Sequence, residues 1–111
     1  MTKDLGYEDA LSISALLYSA YSLGAESLEV TDSCGDSEHF YFDNRPSDVE
    51  DNVFELLYGG DTDYTFSFYK GNSEHETHLG DFYVCLGNND GSAVYDSSRQ
   101  RWCNDVLDDI A

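Results

Sequence analysis

Basic residues are scarce in this chain, and their scarcity defines its electrostatics. Five Lys and Arg stand against 23 Asp and Glu among 111 residues, so the formal net charge is -18. A field of this sign disfavours nucleic acid and anionic membranes as direct partners, because both are negatively charged. It favours a basic protein, with an association rate that falls as salt rises. We therefore expect the partner to present a basic surface.

Cysteines are few and lack a paired spacing. Cys34, Cys85 and Cys103 are an odd number, which does not build a disulfide framework and indicates a reducing compartment. The N-terminus has no basic start or cleavage site of a signal peptide, and the least polar run, Ala10–Ala25, is too short and Ser-rich to span a bilayer. We expect a cytoplasmic protein without membrane contact.

Recognisable catalytic and metal-binding motifs are also missing. The segment Glu74-His-Glu-Thr-His78 brings two imidazoles near carboxylates, but no zinc spacing accompanies it, and it lies in a predicted polar loop from Gly71 to Gly80. No Ser-His-Asp or Cys-His arrangement and no phosphate-binding glycine loop stands in a recognisable context. We expect a protein that is not an enzyme and that needs neither a metal nor a cofactor.

Apolar residues are plentiful enough for a folded core. They make up 41% of the chain and include nine Tyr, six Phe and one Trp, whereas a disordered acidic tail would be poor in such residues. The length suits one hydrophobic core but not two. The prediction is a single acidic domain over residues 1–111, without internal repeats or linkers.

Hydrophobic periodicity predicts three helices and five strands. The helices are expected at Tyr7–Leu23, at Ser47–Tyr58 and around Trp102, Val106 and Ile110, and the strands at Ser27–Asp32, Glu38–Asp43, Asp63–Tyr69, Gly80–Leu86 and Ser92–Tyr95. Ser47 with Glu50, and Ser97 with Gln100, match the capping-box pattern of a helix start. Without regular strand-helix-strand alternation, the expected class is α+β: an antiparallel sheet of about five strands with three helices packed mainly on one face.

Two surface features follow from this arrangement. The first helix has no charge from Ala10 to Ala25, so we expect it to be buried on two sides, with a homodimer contact as the alternative. The opposite face of the sheet is expected to be open to solvent. Residues suited to that open face are Tyr41, Thr65, Ser67, Tyr69 and Tyr83.

Acidic residues are densest between Asp48 and Leu86. Lys70 is the only cation in this stretch, and crowded like charges do nothing for folding, so they indicate a binding role. We predict that the acidic helix and the turn after it contact the partner, with two tyrosines as aromatic anchors. The predicted contact residues are Asp48, Glu50, Asp51, Glu55, Tyr58, Asp61, Asp63 and Tyr64.

Small size, dispersed acid, abundant tyrosine and no catalytic motif make the chain resemble the DNA-mimic inhibitors of phages and mobile elements. These are the anti-CRISPR and anti-restriction proteins. The resemblance covers the composition of the whole chain and assigns no residue roles. It implies a non-catalytic inhibitor whose partner is a basic nucleic-acid-binding protein, such as a CRISPR effector or a restriction enzyme. The carboxylates would engage the Lys and Arg side chains that otherwise hold phosphates.

Two other functions fit the same charge. One is an immunity protein that neutralises a cognate basic nuclease toxin, which uses the same electrostatics on another target. The other is an acidic protein of a halophile, in which carboxylates hold hydration in strong brine. The excess of Asp over Glu and the presence of only two Lys fit the halophilic alternative, whereas nine tyrosines fit it less well.

Overall fold

A computed structural model describes residues 7–57, 62–71, 75–87 and 93–110. It contains three helices and a five-stranded antiparallel sheet, which confirms the predicted α+β class. The elements in chain order are α1 (Tyr7–Ser22), β1 (Ser27–Asp32), β2 (Ser37–Tyr41), α2 (Pro46–Leu57), β3 (Asp63–Lys70), β4 (Thr77–Cys85), β5 (Val94–Ser97) and α3 (Arg101–Ile110).

The strands lie in the order β2-β1-β3-β4-β5, so β2 and β5 form the edges of the sheet. Alternation along the strands separates a buried face from an open one. In β3, Phe66 and Phe68 are fully buried, whereas Thr65, Ser67 and Tyr69, which alternate with them, are half-buried. The buried face meets the helices in one hydrophobic core, and the expected open face is confirmed.

Helix α1 ends at Ser22, one residue before the predicted Leu23, and a glycine closes it. Gly24 has a φ of 106°, and its N–H donates to the carbonyl of Tyr21 while the N–H of Ala25 donates to that of Ala20. This is the Schellman arrangement, in which a residue of positive φ satisfies the last carbonyls of the helix. The chain then enters β1 directly.

The two predicted capping boxes are wrong. Helix α2 begins at Pro46, because proline has no N–H that would be left unpaired in the first helical position. The carbonyl of Arg45 accepts the N–H groups of Asp48 and Val49. Helix α3 begins at Arg101, after Gln100, whose carbonyl accepts the N–H of Asn104. Ser97 belongs to β5 instead, and its hydroxyl accepts the N–H of Arg99.

Several strand limits also differ from the prediction. Strand β4 begins at Thr77, so the predicted polar loop is shorter and His78 lies in the sheet, opposite Tyr69. A bulge at this point lets the pairing continue past Leu79, which the pattern of alternation alone does not show. Strand β2 ends at Tyr41, and β5 is displaced from the predicted Ser92–Tyr95 to Val94–Ser97.

Helix α1, which carries no charge from Ala10 to its end, is buried largely within its own molecule. Ile13, Leu16 and Leu17 are fully buried, and α1 packs against both α2 and α3. Leu11 and Tyr18 remain exposed, so the homodimer contact stays a prediction. Across the described ranges, no helix has the length and apolarity needed to cross a membrane.

Candidate interaction surface

Helix α2 presents a row of carboxylates to solvent. Its buried side consists of Val49, Val53 and Leu57, so Asp48, Asp51 and Glu55 are exposed. With a rise of 1.5 Å per residue, these three carboxylates span about 10.5 Å along the helix axis. Helical geometry thus fixes the spacing of these carboxylates along one face of α2.

The edge strand β2 adds more carboxylates beside this row. Glu38 of β2 and Glu55 of α2 line one open groove of about 610 Å³, together with Leu56. A neighbouring groove is lined by Asp32, Asp36 and Glu38, and a third by Asp43 and Asp48. We call this set the β2–α2 acidic face. Its members are Asp32, Asp36, Glu38, Asp43, Asp48, Asp51 and Glu55.

Little of this charge is neutralised within the protein. Within the described ranges, a single arginine pairs with a carboxylate of the β2–α2 acidic face: Arg45 Nη1 lies 3.9 Å from Asp48 Oδ2. Both side chains are highly exposed, and such surface pairs contribute only about 0–1 kcal/mol. The face therefore keeps most of its negative potential.

The predicted contact residues do not form one patch. Asp48, Asp51 and Glu55 share the exposed row, whereas Glu50 turns toward α1 and accepts a hydrogen bond from the Ser14 hydroxyl. Asp63 is exposed but lies on the open face of the sheet, opposite Cys85. Tyr58 and Asp61 lie outside the described residues.

The expectation that Tyr64 is an exposed anchor is corrected. Its side chain alternates onto the buried face of β3, and only 6% of the residue is exposed. Asp63 and Tyr64 are neighbours in sequence, but strand alternation directs them to opposite faces.

Four carboxylates of the β2–α2 acidic face were not predicted from sequence: Asp32, Asp36, Glu38 and Asp43. Asp32, Asp36 and Glu38 belong to the β1–β2 hairpin, and Asp43 follows it. Asp32 also has a local role, because its Oδ1 accepts the N–H groups of Cys34 and Asp36 at 3.0 Å in the hairpin turn. The usable signal was the predicted hairpin itself, since its return strand leads straight into α2.

The open face carries a second group of polar residues. Tyr41, Thr65, Ser67, Tyr69 and Tyr83 lie there as predicted. The sequence prediction missed His39 and His78, which the strand register places beside the tyrosines. His78 Nε2 lies 2.7 Å from Asp81 Oδ1, so the carboxylate orients the imidazole.

Neither surface has the geometry of a metal site. In the part of the chain that the structure describes, no group of three or more His, Cys, Asp or Glu side chains could hold a metal ion. Comparison with known proteins adds no relative. The chain matches no protein-family model, and neither curated proteins nor solved structures give a significant match.

Proposed function

We propose that this protein is a non-catalytic inhibitor that occupies the nucleic-acid-binding surface of a basic protein in place of DNA. The proposed target class is a CRISPR effector or a restriction enzyme. The observation that carries the proposal is the β2–α2 acidic face: seven described carboxylates on one side of a packed domain, with one weak pairing to arginine.

The spacing of these carboxylates supports mimicry of a phosphate backbone. One strand of duplex DNA carries a charge about every 3.4 Å of axis. The α2 row, with three carboxylates over about 10.5 Å, has a somewhat lower density, and Glu38 supplies further charge across the groove. Because a helix and a hairpin hold these groups, little ordering entropy is lost when a partner binds.

The binding test is a pair of charge reversals on α2. Asp51→Lys with Glu55→Lys should weaken binding about 30-fold or more, since losing one partner of a charge pair in an interface costs about 2 kcal/mol or more. The matched control is Asp105→Lys with Asp108→Lys, which makes the same charge change on exposed positions of α3.

The measurement begins with capture of a partner from host lysate at low and at high salt. Captured protein should elute as salt rises, should bind duplex DNA, and should lose that DNA when the inhibitor is added. Equal binding by the α2 and α3 variants would contradict the assignment of this face. A captured nuclease toxin would instead establish the immunity-protein alternative.

A second measurement separates inhibition from halophilic adaptation. We expect the isolated protein to keep its circular-dichroism spectrum in dilute buffer, because its buried apolar residues form one hydrophobic core. A halophilic protein would lose structure below roughly 1 M salt, where screening of its carboxylates falls away. Unfolding in dilute buffer would therefore count against the proposed function.

A further inference from the structure

Four rings form a continuous row across the open face of the sheet. Tyr41 and His39 of β2 lie with ring centroids 4.7 Å apart. His39 stacks on Tyr69 of β3 at 5.7 Å, and Tyr69 contacts His78 of β4 at 5.5 Å. We call these four residues the aromatic row. Tyr41 is exposed, with 45% of the residue accessible to solvent.

Carboxylates surround the aromatic row. Glu29 pairs across the strands with His39, Glu76 Oε2 lies 3.8 Å from His39 Nε2, and Asp81 contacts His78. Burial raises the pKa of the Tyr69 phenol, and the charges of Glu29, Asp81 and Glu76 raise it further. These three carboxylates therefore act together on one ring. No paired strand position on this face is occupied by lysine or arginine.

Beneath the rings lies a hydroxyl group without a hydrogen-bond partner. Ser27 of β1 pairs with Tyr41 on one side and Tyr69 on the other, so its side chain points to the open face, yet it is 0% exposed. Among the described residues, its Oγ and the His39 Nε2 are buried without a hydrogen bond. Buried polar groups are normally paired, so a hydrogen-bond donor that reached this position would satisfy an unpaired acceptor.

We propose that the aromatic row binds an arginine side chain of the basic partner. A guanidinium stacks its plane on a tyrosine ring, and its five N–H donors suit adjacent carboxylates and a hydroxyl oxygen. A lysine ammonium is a compact, strongly hydrated charge that cannot stack in this way. The choice of a partner with arginine rests on the proposed function, which already calls for a basic surface.

Strand β2 places this binding site next to the β2–α2 acidic face. Strand alternation places Glu38 on the face toward α2 and places His39 and Tyr41 on the open face, and both Glu38 and His39 line the groove beside α2. A partner that wraps around this edge of the sheet meets phosphate-like charge on one side and the aromatic row on the other. Carboxylates attract both lysine and arginine, and stacking on the aromatic row adds to the preference for arginine.

The test uses two blocked peptides of equal charge, one with three arginines and one with three lysines. Nuclear magnetic resonance titration gives both the affinity and the residues affected. The arginine peptide should bind about two- to fivefold more tightly, the increment expected for one cation–π contact near the surface. The largest shifts should fall on His39, Tyr41 and Tyr69.

A substitution of Tyr69 shows whether the ring carries this preference. Tyr69→Leu should remove the difference between the peptides, whereas Tyr18→Leu, which removes an exposed tyrosine of α1, should preserve it. Thermal unfolding checks that each variant is folded. Equal affinities for the two peptides, a preference that survives Tyr69→Leu, or shifts centred on α2 would each overturn the proposal.

This outcome is separable from the test of inhibition. The α2 charge reversals leave the aromatic row intact, so a failure of the inhibitor proposal would appear in partner capture and DNA competition. A failure of the arginine proposal would appear in the peptide titration alone.

Discussion

The Asp9 carboxylate, in the first turn of α1, accepts a hydrogen bond from the backbone N–H of Gly87 at 2.9 Å, across 78 positions of sequence. Asp9 is the one buried carboxylate among the residues that the structure describes, with 7% of the residue exposed. It joins the start of the chain to the end of β4. Its role is therefore structural, unlike that of the exposed acids.

Removal of Asp9 should destabilise the protein although it removes a repulsive charge. We expect Asp9→Ala to lower the free energy of unfolding by about 1.5–3 kcal/mol, the contribution of a hydrogen bond to a charged group. Asp51→Ala, at an exposed helical position, should be neutral or slightly stabilising because it relieves repulsion. Urea denaturation measures both. Similar effects of the two substitutions would refute a specific role for Asp9.

The close packing of β4 against α3 depends on the missing side chain of Gly80. A Cβ at this position would overlap Cys103 Sγ and would lie 3.2 Å from Gln100 Oε1. Gly80→Ala should therefore cost about 1–3 kcal/mol through overpacking. The cost should shrink in a Cys103→Ala background, where the sulfur is absent, but not in a Cys85→Ala background. Denaturation of the single and double variants gives the coupling energy, and simple additivity with Cys103→Ala would contradict the contact.

Tyr69 contributes to stability in a way that depends on pH, and the contribution is lost in alkaline solution. Burial raises the pKa of its phenol, with further increases from Glu29, Asp81 and Glu76. The unfolded chain, with an ordinary tyrosine pKa of about 10, then loses this proton first, so the contribution is complete below about pH 10 and is lost as pH rises through the folded-state pKa. Tyr69→Phe should flatten the fall of unfolding free energy above pH 10 more than Tyr18→Phe does. Equal slopes would disprove the shift.

A substitution of Gly24, at the end of α1, tests the cost of a backbone conformation rather than of a side-chain contact. Gly24 has a φ of 106°, and a Cβ there would meet nothing within 4 Å, so any cost of Gly24→Ala is conformational. We expect a loss of about 1–3 kcal/mol in the free energy of unfolding. Ser22→Ala, at an exposed position in the last turn, should change stability by less than about 0.5 kcal/mol. A stability for Gly24→Ala equal to that of Ser22→Ala would rule out this strain.

The sequence predicts the fold well where one pattern dominates. Strand β1 has the predicted limits, and β3 extends by one residue, because alternation of large apolar and small polar residues is strong there. Helix starts are less predictable. Ser47 with Glu50 lies inside α2, and Ser97 with Gln100 precedes α3, but the helices begin at Pro46 and Arg101. Tertiary packing of β4 likewise extends the strand through His78, which local polarity assigns to a loop.

The interaction surface is less accessible to sequence reasoning, because it combines elements that are distant in the chain. The periodicity of α2 correctly exposes Asp48, Asp51 and Glu55. It does not show that the Ser14 hydroxyl of α1 donates a hydrogen bond to Glu50, or that Glu38 faces α2 across a groove. The aromatic row shows the same difficulty, since His39, Tyr69 and His78 come from three strands whose pairing requires the sheet order.

Strand β2 has one unpaired side, because it lies at the edge of the sheet. At neutral pH, Glu38 and the neighbouring carboxylates repel a second copy that would otherwise add its own strand there. Near the isoelectric point of about 4.1 the net charge approaches zero, so the electrostatic repulsion between copies is weakest there. Self-association along the open side of β2 is therefore expected to increase on acidification.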